Sequence, residues 1–184
     1  MKEEIQNILR EYLNIFPNEE EKQLTLFNYL NNHSDNEIID WNNFEGHIVA
    51  SGFIYSKIEE KFLVMFHNDM KIYTYPGGHI DSDDKNPFEA AKREVIEETR
   101  IRNFQTIALK NNNLIPIDID THLINYNERL NLPEHYHFDF RYLFVIEEIP
   151  EIIIDENELS EYKWISKTEF YHQFNLKDKL NKFI

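Results

Sequence analysis

The sequence predicts a mixed α/β (α+β) fold, a sheet flanked by helices, with a helical extension at its N-terminus. Two observations carry this. From about His47 onward the apolar residues follow the two-residue period of strands, while before that point they follow the helical period. Strand segments also outnumber helical ones, and helices lie between and after them, the order expected of layers packed on a sheet. At 184 residues the chain reads as a helical extension, 1–45, followed by one domain, 46–184, with a helical tail.

The elements follow in order. Ile5, Ile8, Leu9, Tyr12, Leu13 and Phe16 form one apolar stripe on an otherwise polar helix, and Pro17 ends it. Asn18 followed by Glu21 reads as a capping-box start for a second helix with Leu24, Phe27 and Leu30 on its apolar face. These faces need cover, either from the main domain or from a second copy of the chain, so a homodimer contact and a substrate lid both stay open. HIVASGFIYS, KFLVMFH and KIYTY read as three strands. After a helix beginning at Asn86 come the strand candidates FQTIALK, IPIDIDTHLI and HFDFRYLFVIEEI, the last being the longest. EYKWIS reads as a strand end, TEFYHQF as a short helix and NLKDKLNKFI as a polar tail.

Composition narrows the function. With 34 acidic against 19 basic residues the formal charge is −15, so the molecular field repels polyanions and extended DNA or RNA is not an expected partner. Zero cysteines exclude a disulfide framework, a thiolate nucleophile and a thiolate metal site. No apolar run approaches the ~20 residues of a bilayer span, and the charged start MKEEIQNILREYL is no signal peptide, so a cytoplasmic protein without membrane contact is expected. A small phosphorylated substrate fits only where something local reverses the field, as a bound divalent cation would.

The stretch PGGHIDSDDKNPFEAAKREVIEET, from Pro76 to Thr99, supplies such a place. Asn86 caps a helix, Pro87 suits its first position and Glu89 completes a capping box. At helical pitch Glu94, Glu97 and Glu98 fall within about 100° of arc on one face. Ala90 leaves room one turn earlier, and Phe88, Ala91 and Val95 form the adjoining stripe that packs on the sheet. Arg93 lies one turn before Glu97, placed to hold a carboxylate. Carboxylates so clustered repel one another unless protonated or neutralised, and hard oxygens on a fixed frame suit Mg²⁺ or Mn²⁺. The bland alternative is a solvated acidic helix, against which the Gly77-Gly78 pair and the strand–loop–helix context weigh.

A second constellation lies in HYHFDFR, which puts His135, His137, Asp139 and Arg141 on one strand face and Tyr136, Phe138 and Phe140 on the other. DIDTH similarly groups Asp118, Asp120 and His122. Zinc through His135 and His137, and a polar strand face open to water, are both open readings. A metallo-β-lactamase motif is not, because Phe140 stands where that motif has a histidine.

The Pro76–Thr99 stretch resembles the Nudix box, G-x5-E-x7-R-E-U-x-E-E-x-G-U, with Gly78, Arg93, Glu94, Val95, Glu97, Glu98 and Ile101 in matching positions. ELSEYKWISKTEF is similar to the tryptophan-containing segment near the end of Nudix domains, and the resemblance covers roughly residues 46–172. The chain departs from the pattern at three points. Its loop is one residue longer, Asp84 stands closest to the place of the loop glutamate, and Arg100 replaces the second glycine. Arginine there either takes the left-handed conformation at a cost of ~1 kcal/mol or lets the helix run on to Asn103.

The resemblance implies a Nudix-type α/β/α sandwich with a mixed sheet, and hydrolysis of a diphosphate bond in a small nucleotide or nucleoside-diphosphate-linked substrate. It makes Glu94, Glu97 and Glu98 the metal-site carboxylates for Mg²⁺ or Mn²⁺, with the Gly77 carbonyl as a further ligand. Arg93 completes the catalytic set by orienting glutamate, and Glu94 is alternatively the base. The chain is also similar to bacterial Nudix proteins that pair GGH with D-x-H and H-x-H-x-D-x-R segments. By that likeness His79, Asp120, His122, His137, Asp139 and Arg141 line the pocket opposite the box, with His79, His137, Asp139 and Arg141 as substrate contacts. A Nudix-fold module that binds a nucleotide without cleaving it is the alternative. Isoprenoid diphosphate isomerisation is disfavoured by the missing cysteine, and RNA decapping by the charge.

Overall fold

The computed structural model describes residues 1–107, 114–126, 128 and 131–184. Eight strands form one sheet: β1 (Gly46–Ser56), β2 (Lys61–His67), β3 (Ile72–Thr74), β4 (Gly77–His79), β5 (Gln105–Thr106), β6 (Asp118–Ile124), β7 (His135–Ile146) and β8 (Leu159–Ser166). The helices are α1 (Lys2–Ile15), α2 (Leu24–Asn32), α3 (Pro87–Thr99), α4 (Lys167–Phe174) and α5 (Lys177–Leu180). The expected α/β sandwich with a mixed sheet is what forms. Of the strand expected over FQTIALK, Gln105–Thr106 is present and its last residues lie outside the described ones.

The two long central strands, β1 and β7, run parallel and in register from Gly46↔Tyr136 to Ser56↔Ile146. Every other pairing is antiparallel, so the sheet is mixed. The other edge of β1 is shared: its first half pairs with β4, with Val49 opposite His79 and Ser51 opposite Gly77, and its end pairs with β2. β6 covers the first half of β7, with Asp118 opposite Arg141, Asp120 opposite Asp139 and His122 opposite His137.

Alternation along β1 and β7 sorts the core into two layers. Ile48, Ala50, Ile54, Phe138, Phe140 and Phe144 face α3 and the N-terminal helices. Phe53, Tyr55, Leu143 and Val145 face the other way, onto Phe170 of α4 and Leu176 and Leu180 beside and within α5. Gly52 lets α3 lie directly on β1, because a Cβ there would come 2.4 Å from a Val95 methyl.

The main domain itself covers the N-terminal helices. Ile5, Leu9, Tyr12, Leu26, Tyr29 and Leu30 join the same apolar cluster as the sheet and α3. The Tyr29 ring stacks on Phe138 at 4.6 Å, and its hydroxyl donates to the Gly46 carbonyl at 2.5 Å. The expected start of the second helix is corrected. The chain instead makes two 3₁₀ turns, Pro17–Glu19 and Glu21–Gln23, and α2 begins only at Leu24, without a side-chain cap. Glu19 and Gln23 are drawn inward: Tyr12 donates to Glu19 at 2.5 Å, and Gln23 Nε2 donates to the Ile119 carbonyl at 2.9 Å. That rotates α2, so Leu24 and Phe27 are exposed while Leu26, Tyr29 and Leu30 are buried. The polar tail is also more than a tail, since Leu176 and Leu180 are buried.

Candidate functional site

α3 starts as its sequence dictates, with the Glu89 N–H donating to Asn86 Oδ1 at 3.0 Å and Pro87 in the first turn. It stops at Thr99. Arg100 takes the left-handed conformation (φ 60°, ψ 9°) and its N–H closes on the Ile96 carbonyl, so the run-on to Asn103 does not occur. Phe88, Ala90, Ala91 and Val95 are buried against the sheet, and Glu98 is carried in with them, 8% exposed.

This placement aims the carboxylates at β4. Glu98 Oε1 accepts the Gly77 N–H at 3.2 Å. Glu94 lies against Gly78, where a Cβ would stand 2.5 Å from Glu94 Oε1, so only glycine leaves the carboxylate room. Glu97 is half exposed at the outer rim. Arg93 ties these parts together. Its Nη1 donates to Glu94 Oε1 at 2.8 Å and to Glu97 Oε2 at 3.0 Å, and its Nη2 donates to the His79 carbonyl at 2.8 Å and Asp84 Oδ2 at 2.9 Å. Asp84, near the place of the loop glutamate, thus anchors Arg93 and fastens the longer loop to the helix. Asp84 also accepts the Asp81 N–H at 2.9 Å, closing the loop on itself.

The electrostatics of the pair are unbalanced. Burial, opposed in part by the Gly77 N–H and reinforced by Glu94, Glu158 and Asp155, pushes the Glu98 carboxyl up to about 8. Burial likewise raises Glu94 to about 7 against the pull of Arg93. A buried and a half-buried carboxyl with raised proton affinities, next to the Gly77-Gly78 backbone, form a donor set suited to a hard divalent cation. Glu158 and Asp155, whose charges reach this pair, had no motif to mark them in the sequence.

The other constellation lies across β4, on the opposite face of the sheet. His79 points away from α3, and β1, β6 and β7 bring His47, His122, His135 and His137 to the same face. The His47 ring is 4.7 Å from that of His137 and 4.9 Å from that of His79. Below them Arg141 gives Nε to Asp139 (2.8 Å), Nη1 to Asp118 (2.8 Å) and Nη2 to Asp120 (2.7 Å), with its guanidinium 5.3 Å over the Tyr75 ring. Asp139 also accepts Ser51 Oγ–H at 2.6 Å. Arg141 and Asp139 are buried, so this part of the strand face is not the water-exposed surface that the sequence left open. Any contact of theirs with a substrate competes with this network.

Lys179 of α5 extends the network, bonding Asp118, Glu19 at 2.6 Å and Tyr12 at 2.7 Å. Burial raises the Glu19 carboxyl, but the Lys179 and Tyr12 hydrogen bonds outweigh it and hold the group below its ordinary range. Asp120 is held down to about 2, burial being outweighed by His122 and Arg141. Burial, with the other histidines adding to it, lowers His47 to about 4 and His137 to about 2, so both rings are neutral near pH 7. His47 was missed by sequence reading. Its signal is its parity with Ser51 on β1, which becomes meaningful only once β1 is paired with β7.

Comparisons with known proteins agree with this architecture. The chain is 32% identical over 99 residues to a probable DHNTP pyrophosphohydrolase of Lactococcus lactis subsp. cremoris (strain MG1363). That match covers 54% of each, so the chain spans about half the length of this curated relative. Among solved structures, a NUDIX-family hydrolase from Clostridium perfringens aligns at TM-score 0.53 and 28% identity, over 68% of this chain and 85% of that one. A C. elegans Ap4A hydrolase in a binary complex aligns at TM-score 0.54 and 18% identity, over 74% and 96%, which speaks to the fold alone. A helix presenting Arg93, Glu94, Glu97 and Glu98 to a glycine pair, on a mixed sheet between helical layers, is matched over residues 47–184 by the NUDIX domain model, and the chain belongs to the Nudix family.

Proposed function

We propose that this protein is a divalent-metal-dependent hydrolase that cleaves a diphosphate bond in a small nucleotide or nucleoside-diphosphate-linked substrate, using water as the nucleophile. The observation that carries the reading is the seating of the half-buried Glu94 and the buried Glu98 against the Gly77-Gly78 backbone, with Arg93 reaching the first. The family relationship and the names of its relatives support it.

Glu94, Glu97 and Glu98 would hold Mg²⁺ or Mn²⁺, with the Gly77 carbonyl as a further candidate ligand. When bound, the ion supplies charge that screens the phosphates and acidifies a water. The chain's own residues set the geometry. Arg93 fixes the Glu94 and Glu97 rotamers and, through Asp84 and the His79 carbonyl, holds the loop and β4 at a fixed distance from α3. In the alternative arrangement Glu94 stays off the ion, with Glu97 and Glu98 holding it, and accepts a proton from the attacking water. A hollow of ≈ 420 Å³ beside α3 is bordered by Lys85, Lys92 and Arg93 but also by Asp83, Asp84, Glu89 and Glu97, so it offers no net positive charge and a phosphate there would depend on the bound cation. His79 and His137, on the far side of β4, remain the proposed contacts for the rest of the substrate, with Asp139 and Arg141 behind them.

The test is a panel of DHNTP, Ap4A, ADP-ribose, nucleotide sugars and nucleoside triphosphates, assayed for phosphate or monophosphate release with Mg²⁺, Mn²⁺ or EDTA. Turnover of at least one, abolished by EDTA and reduced on the order of 10³-fold by the double change Glu97→Gln and Glu98→Gln, is expected. Tight, metal-independent binding without any product would replace the hydrolase by a nucleotide-sensing module.

A further inference from the structure

We propose that His47, His79 and His137 form a second metal site, specific for a late first-row divalent ion such as Zn²⁺ and separate from the carboxylates of α3. The three residues come from neighbouring strands, β1, β4 and β7, so a rigid sheet holds their backbones in place. One ring nitrogen from each lies within 4.8 Å of the other two. A Zn–N tetrahedron has edges of about 3.4 Å for bonds of about 2.05 Å, so the nitrogens must draw together by at most about 1.4 Å to take an ion.

His47 is the observation that demands an explanation. It is 1% exposed, and among the described residues neither of its ring nitrogens makes a well-formed hydrogen bond, the Asn43 backbone offering only a weak contact. A buried imidazole so poorly satisfied is costly, and native proteins rarely keep one without a use for it.

His135 orients the cluster. Its Nδ1 lies 2.7 Å from the Pro133 carbonyl, which only accepts, so Nδ1 carries the proton and Nε2 is an acceptor. That Nε2 lies 3.2 Å from His137 Nε2, which therefore donates in the neutral ring and leaves the His137 Nδ1 lone pair free. A carbonyl–histidine–histidine relay of this kind fixes the tautomer and tilt of a ligating ring. The donors are all imidazole nitrogens, a set that suits Zn²⁺, Ni²⁺ or Cu²⁺ and not Mg²⁺. Three protein ligands leave a fourth position for water or a substrate atom. The site goes beyond the hydrolase reading and does not rest on it; with an ion bound, His79 and His137 would meet the substrate through the ion and not directly.

The test is calorimetric titration of Zn²⁺ into the EDTA-treated full chain in excess Mg²⁺, which competes for the carboxylate site. One Zn²⁺ per chain is expected. Loss of a ligand in His79→Ala or His137→Gln should weaken it at least ~100-fold, and His135→Ala ~10–100-fold. Glu94→Gln with Glu98→Gln should leave it unchanged. Co²⁺ should give visible bands of a nitrogen-ligated tetrahedral ion, lost in the same histidine variants. His79 is at the surface, so His79→Ala keeps the test meaningful even if a core variant fails to fold. Zn²⁺ uptake that is indifferent to His79→Ala, displaced by Mg²⁺, or lost with the glutamates would overturn the proposal.

Discussion

The two faces of β4 solve the same electrostatic problem in opposite ways. On the α3 side, Glu98 is buried and Glu94 half-buried with one guanidinium at their edge, and both keep proton affinities raised toward or above neutrality. On the other side, Asp118, Asp120 and Asp139 are bound by Arg141, with Lys179 closing the far end, and Asp120 is held down to about 2. One cluster lacks fixed counter-ions that the proposed divalent cation would supply, and the other carries its counter-ions in the fold. The same residue type therefore plays two roles, set by whether a fixed cation reaches it. Removing a group from the second face should cost stability, and disturbing the first should cost activity.

The sharpest break in that contrast is Arg141→Met. It removes the guanidinium from the buried Asp118 and Asp139 and from the partly exposed Asp120, and breaking a buried ion pair from one side costs about 3–5 kcal/mol. Urea denaturation should show a loss of that size. A variant as stable as the parent would mean that Arg141 is not the counter-ion of this face. Gly78→Ala probes the other side. The new methyl meets the end of the Glu94 side chain and not backbone, so the carboxylate shifts while the strand stays. The outcome expected is a fall in kcat/KM on the order of 10²-fold, since a displacement near 1 Å in a catalytic group has that effect, with little change in Tm.

How far each face was legible follows from how local it is. Arg93, Glu94, Glu97 and Glu98 sit on one helix, and helical pitch alone groups them. The partner of Glu94, Gly78, lies one loop away. The histidine and aspartate face needs the parallel register of β1 with β7, strands about ninety residues apart in the chain, and no local pattern encodes it. His135, His137, Asp139 and Arg141 could be grouped because they alternate on one strand, but His47 on the neighbouring strand could not. Lys179 is further still from view. In the sequence it belongs to a polar tail, and only the burial of Leu176 and Leu180 brings its ammonium to Asp118 and Glu19. The start of α2 failed for a related reason. A capping box at Asn18 is a local preference, and the buried bonds of Glu19 and Gln23 outweigh it.

Lys179→Met should then cost about 2 kcal/mol at pH 7, since it takes a charged donor from two buried carboxylates that keep Tyr12 and Arg141 as their other partners. The pH dependence has a definite sign. In the fold the Glu19 carboxyl lies below its ordinary value of 4.5, so the unfolded chain binds more protons as pH falls. The stabilisation from Glu19 is complete above pH 4.5 and is lost as pH falls through its folded pKa. Denaturation curves of parent and variant should converge in acid; a gap that is unchanged from pH 7 down to pH 3 would remove Glu19 from the account.

The smallest effect expected is a gain. Arg100 holds a left-handed conformation at the end of α3, where the box pattern has glycine, and its N–H still completes the cap on Ile96. Glycine relieves the Cβ strain, which is worth about 1 kcal/mol, but returns part of that through the greater freedom of the unfolded chain. Arg100→Gly should therefore raise Tm by a few degrees at most and leave kcat/KM where it is, because α3 already ends at Thr99 with Glu98 in place. A change in activity without a change in Tm would show instead that the Arg100 side chain acts on the carboxylate face, a role for which its position beyond the buried end of the helix gives no support.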